Sequence, residues 1–110
     1  MRVAVAVRDD NISGPGEAAE IRIYNIQQGY ELEESYSNPA LTAPSAKGIM
    51  MLKSIVDRGV TSAIISGIGA HAFSYGSGRI KLYAGENLPI GNALKRFAEG
   101  ALKEITGPSH

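Results

Sequence analysis

Cysteine is absent from the 110 residues. Its absence excludes a disulfide scaffold, a thiol nucleophile, a structural zinc knuckle and any iron-sulfur cluster held by the protein's own thiolates. Metal chemistry would have to use imidazole, carboxylates, backbone groups or ligands that arrive with the metal. Excess charge is missing too: eleven Lys and Arg balance eleven Asp and Glu, so no net field draws the chain to nucleic acid, anionic lipid or an acidic substrate. There is no tryptophan, and five tyrosines with two phenylalanines are little material for a base-stacking platform. Long apolar runs are also lacking. Met1-Arg-Val-Ala-Val-Ala-Val is apolar for only five residues before Arg8-Asp9-Asp10, too few for a membrane span or a signal-peptide core. The expectations are a single cytoplasmic domain over residues 1–106, a frayed tail over 107–110, and neither a nucleic-acid nor a membrane partner.

What is present reads as alternating elements. Val3, Val5 and Val7 with Ala4 and Ala6 between them form the small apolar run of a central strand covered on both faces. Asp9 to Glu17 (DDNISGPGE) is dense in turn formers and predicts a loop. Ile21 and Ile23 alternate with Glu20, Arg22 and Tyr24, and Gln27-Gln28-Gly29 turns the chain into a second hairpin strand. Period two there puts Tyr30, Leu32, Glu34 and Tyr36 on one face. Glu31, Glu33 and Glu34 are costly to bury, so this hairpin has a solvated edge. Asn38-Pro39 ends it.

From Ser45, apolar Ile49, Leu52, Ile55 and Val56 recur at helical spacing, predicting a helix over 45–58 that Gly59 stops. Val60 to Ile65 is a second buried strand, so a parallel crossover fits. A short helix after Gly69, a strand over 79–84 and a helix from about Pro89 to Phe97 complete the chain. The order predicts an α/β layered domain with a hairpin on one side of a parallel core.

Chemistry concentrates between Ser66 and Gly85, which hold five glycines and the only non-terminal histidine. Gly67-Ile-Gly69-Ala-His-Ala72 fits G-x-G-x-x-A after a strand and at the start of a helix, with Glu86 near the position of a ribose-binding acid. The motif follows the fourth strand of a short chain instead of opening a long βαβαβ unit, so a small anion or nucleotide binder at Gly67–Ala72 is only a third reading. A plain strand-to-helix turn uses the same glycines without any ligand. His71 lies in the first turn of that helix, where the dipole favours a neutral imidazole able to bind metal. A histidine with no ligand stays an alternative, because no second residue at ligand spacing is near it in sequence. The first strand offers only Val and Ala and the fourth Ala63, Ile64 and Ile65, so a two-metal nuclease lacks its carboxylates. Ser66 and Ser74 have His71 as a base and no orienting acid. A non-enzymatic protein is expected.

With these elements in order, the chain resembles the dinitrogenase iron-molybdenum cofactor biosynthesis family of small cofactor carriers. The stretches that carry the resemblance are Met1 to Val7, Gly16-x-Ala18, Asn38-Pro39, Gly59-Val60, Ser66-Gly67-Ile-Gly69 to Ala72-Phe73, Ile80 to Gly85, Ala93-Leu94, and Gly100-Ala-Leu102. The resemblance implies a three-layer α/β/α, ribonuclease H-like fold. Its five-stranded mixed sheet would have an N-terminal antiparallel three-strand part followed by parallel strands. It also implies a carrier of an iron-sulfur or iron-molybdenum type cofactor or precursor, with a cofactor donor or acceptor protein as partner. Family members typically carry Ser-x-His-Phe-Gly-Arg-Ala after the first strand. Here Gly14 and Pro15 replace the His and Phe, and Glu17 replaces the Arg, which sets an acidic group against an anionic cluster.

In the implied fold the ends of the first and fourth strands are adjacent, where open α/β sheets bind ligands. The residues expected to bind cofactor are Asp9, Ser13 and Gly16 from one loop and Ser66, Gly67, Gly69 and His71 from the other, with His71 as the metal ligand. The competing reading is a cluster-free interaction or regulatory module, using Tyr30 and Tyr36 on a hairpin edge.

Overall fold

In the computed structural model, which describes residues 1–109, β1 (Arg2–Arg8) runs through the middle of a mixed sheet. Its unbroken apolar run requires cover on both sides. Val3, Val5 and Val7 are buried on one face and Ala4 and Ala6 on the other. β3 (Glu20–Ile26) pairs antiparallel with β1 and β4 (Tyr30–Ser37) with β3, while β5 (Ser62–Ile65) is parallel to β1 and β6 (Lys81–Ala84) to β5. The strand order is β4-β3-β1-β5-β6. α1 (Lys47–Val56) and α2 (Ala70–Gly76) cover the alanine face, and α3 (Ile90–Ala98) covers the valine face. The three-layer α/β arrangement expected from the sequence is present.

Two local features differ from the expectation. Asp9 and Asp10 both take positive φ, 53° and 63°, the geometry of a two-residue hairpin turn that matches strand twist. The stretch expected as loop therefore folds back as β2 (Asn11–Ile12), a sixth strand pairing Ile12 with Val7. In β4 the register slips: Ile23 pairs with Glu34, but Tyr24 pairs with Leu32. The extra residue is Glu33, and one extra residue sends everything beyond it to the other face. Tyr36 thus lies opposite Ile21 on the α1 side, its hydroxyl 2.9 Å from Ser54 Oγ and its ring 3.6 Å from the Arg58 guanidinium carbon. Tyr30 and Leu32 lie opposite Ile26 and Tyr24 on the other face, about half exposed. No single face carries both tyrosines.

Element ends shift by a few residues. α1 starts at Lys47, because Ala46 is in the left-handed region at φ 54°, and the chain turns at Gly59 with φ 76°. The tail is held: Lys103 O accepts from Ala84 N–H at 2.9 Å, Ile105 N–H donates to Leu82 O at 2.7 Å, and Ser109 N–H donates to Ile68 O at 2.8 Å. Residues 103–105 cover the β6 edge; of the 107–110 stretch expected to fray, Ser109 is hydrogen-bonded to Ile68 and His110 lies outside the described residues. Among the described residues no helix is long and apolar enough to cross a membrane.

Candidate functional site

The loop after β2 is locked by backbone pairing before any ligand is considered. Ser13 N–H donates to Ala6 O at 2.8 Å, and Ser13 O accepts from Ser66 N–H at 3.1 Å, tying the loop to β1 and to the turn after β5. Gly14 O accepts from Ala18 N–H at 2.9 Å. Asn38, the buried polar side chain of the core, donates Nδ2–H to Pro15 O at 2.8 Å and to Ala18 O at 3.0 Å, and its Oδ1 accepts from Ala40 N–H at 3.1 Å. One side chain therefore satisfies three backbone groups and fixes the loop against the short 3-10 turn Pro39–Thr42. Asn38-Pro39 marked only a strand end in the sequence. That the amide points inward is a tertiary fact.

The fixed loop and the turn after β5 form two walls of one cleft of about 820 Å³. Ser13 and Gly16 line it from the first wall, and Ser66, Gly67, Gly69 and His71 from the second. Asp9 is not among the lining residues; it sits exposed on the β1–β2 turn. A third wall, which sequence reasoning missed, is the start of α1, Ser45 to Ile49. The helix starts α1 and α2 approach closely at glycine: a Cβ on Gly48 would lie 2.7 Å from the Ala72 Cβ. Neither helix has a side-chain hydrogen bond at its N-cap, Ala46 or Gly69, so first-turn N–H groups of both remain available. A glycine at the second helical position, with no Ser, Thr, Asp or Asn as cap, was the signal available in the sequence.

Charge in the cleft is mixed. Lys47 and His71 face Glu17 and Glu86. The Glu17 carboxylate folds back over Gly14, where a Cβ would collide with it and stand 3.2 Å from Ser66 Oγ. Arg8 does not neutralise it; its Nε–H donates to the Glu17 backbone oxygen at 2.6 Å. His71 is exposed, and among the described residues no three His, Asp or Glu side chains gather as a metal site. The donor set is thus one imidazole, three serine hydroxyls, the Glu17 and Glu86 carboxylates and backbone N–H groups, with no three ligating side chains gathered together among the described residues. It fits a metal group that brings its own ligands and does not fit a bare ion needing four protein donors.

A larger cavity of about 1230 Å³ opens at the other end of the sheet, between Gly59–Ser62, the Gly76–Leu82 stretch and the tail. Both of its arginines are already engaged: Arg2 pairs with Glu33 at 2.8 Å, and Arg79 donates to Tyr75 O and lies 4.6 Å from that ring's centre; Lys81 also lines it. None of the site residues expected from the sequence reaches it.

Comparison with known proteins gives a family and a set of folds. The family model described as dinitrogenase iron-molybdenum cofactor matches residues 1–100. A Thermotoga protein provisionally named NifB, of the DUF35 family, is 27% identical over 99% of this chain and 97% of its own, with a TM-score of 0.75. A Methanocaldococcus jannaschii protein provisionally named a dinitrogenase is 25% identical over 98% of this chain and 97% of its own, also at 0.75. The apo form of the orange protein from Desulfovibrio gigas, 21% identical over 99% of this chain and 96% of its own, has the same fold at a TM-score of 0.82. No curated protein matches the chain.

Proposed function

The chain belongs to the dinitrogenase iron-molybdenum cofactor family, and from that premise we propose that its cleft holds a preassembled metal-sulfide cofactor, of the iron-sulfur or iron-molybdenum type, for transfer between proteins. The observation that carries the reading is the convergence of the 13–17 loop and the 66–71 turn, both within the matched residues, on one cleft. Its volume is in the range that encloses a small ligand.

Chemistry follows from what the walls offer. Without thiolates, the backbone N–H groups at Gly67 and Gly69 and at the two helix starts would donate hydrogen bonds to sulfides that the cluster brings with it. The imidazole of His71 supplies one protein ligand. One imidazole and a set of neutral donors bind more weakly than four thiolates, which suits a carrier that must give up its load. Glu17 opposes an anionic load and Lys47 favours it. The role proposed is binding and delivery without turnover, with a cofactor donor or acceptor protein as partner.

Anaerobic reconstitution with iron and sulfide tests this, read by visible charge-transfer absorption and by iron per chain after gel filtration. Stoichiometric iron in the parent, lost in His71→Ala, is the expected result. No iron in either protein would overturn the carrier role and leave a cluster-free interaction module of the same fold. Iron retained equally by both would remove His71 as a ligand.

A further inference from the structure

The turn that walls the cleft is gripped from behind by the tail. Ser109 takes both backbone groups of Ile68: its N–H donates to Ile68 O at 2.8 Å and its Oγ accepts from Ile68 N–H at 3.2 Å. The grip is close at Gly67 as well, where a Cβ would stand 3.0 Å from Ser109 Oγ. The tail reaches this point as an anchored strap, paired with β6 through Lys103 and Ile105 and packed on the core by Ile105. It lies beyond residue 100, where the family match ends.

Ile68 is the middle of Gly67-Ile68-Gly69, and its side chain is fully buried. Among the described residues, the N–H groups of Gly67 and Gly69 donate to no protein acceptor. We propose that Ser109 is a positioning residue for the cleft: by engaging the Ile68 peptide groups on the tail side, it fixes the turn so that the flanking glycine N–H groups stay free for the bound cluster. Without the hydroxyl, the part-buried Ile68 N–H lacks an acceptor and must move to find one. Two flanking glycines offer little resistance to that movement. The inference rests on the cleft being the cluster site.

The test uses the full chain, Ser109→Ala and Ser109→Thr, each reconstituted anaerobically with iron and sulfide. Amide hydrogen exchange at Ile68 is followed in the unloaded proteins, and iron release to a chelator in the loaded ones. Loss of one neutral hydrogen bond predicts about fivefold faster Ile68 exchange and about fivefold faster iron release in Ser109→Ala. Exchange at core Ile64 should not change, and Ser109→Thr should restore parental values for both readouts. Unchanged Ile68 exchange would overturn the grip itself. Faster exchange with parental iron release would leave the grip without a positioning role and overturn the proposal. A parent that loads no iron overturns the carrier reading and the positioning role with it, and Ile68 exchange then still tells the two failures apart.

Discussion

The two faces of β1 are built from the same strand and do different things. On the α3 face, Val3, Val5 and Val7 meet Ile64, Leu94 and Phe97, with Phe97 set edge-on against Tyr83 at 5.1 Å. Large side chains fill that layer, and one helix suffices. On the opposite face Ala4, Ala6, Ala18, Ala40, Ala63 and Ala72 leave room, and two helices descend close enough for Gly48 to meet Ala72. The first face is packing alone. The second uses small residues to bring two helix starts and two loops together, and the cleft forms where they meet.

The comparison is broken or sharpened by substitutions on each side. The largest effect is expected from Leu94→Ala, which empties a buried position on the α3 face and should cost about 2–5 kcal/mol in chemical denaturation. Iron bound per folded chain should not change. A cost under about 1 kcal/mol would mean the α3 layer adapts more freely than its side chains suggest. Gly48→Ala, on the other face, sets an overpacking cost of about 1–3 kcal/mol against a helix-propensity gain of roughly 0.5–1 kcal/mol. A net loss of about 1 kcal/mol is expected, and this change should also lower iron retention. If retention is unaffected, the close approach of the helix starts does not shape the site.

The smallest effect concerns pH. Burial raises the Tyr36 hydroxyl above its ordinary value of 10.0, opposed by the Ser54 hydrogen bond and the Arg58 charge and assisted by Glu34. A phenol raised on folding gives stability that is fully present below pH 10 and is lost as pH rises through the folded value. Tyr36→Phe should therefore show a shallower fall in stability above pH 10, measured as Tm against pH. An identical slope in both proteins would mean that Tyr36 titrates alike in the folded and unfolded chains.

Much of this was legible in the residues because it depends on local pattern. The valine and alanine run of β1, the helical spacing of Leu52 and Ile55, and the glycines of the turn after β5 each declare an element. Adjacency of the 13–17 and 66–71 segments followed from strand order, since β1 and β5 are neighbours. What escaped depends on single residues with long-range partners. Glu33 is one more glutamate in a polar strand until the pairing with β3 shows it to be the extra residue. Asn38 looked like punctuation before a proline, and only the folded chain shows its amide binding two distant carbonyls. The start of α1 was missed as a wall because its contact with α2 is set by absent side chains.

The tail that covers β6 and the irregular pairing at Glu33 have a joint consequence for self-association. One margin of the sheet is already occupied by the chain itself, and the other carries an uneven row of donors and acceptors beside three glutamates. A second strand laid against either margin meets the chain's own tail at β6 or a bulge among glutamates at β4, and both disfavour edge-to-edge pairing.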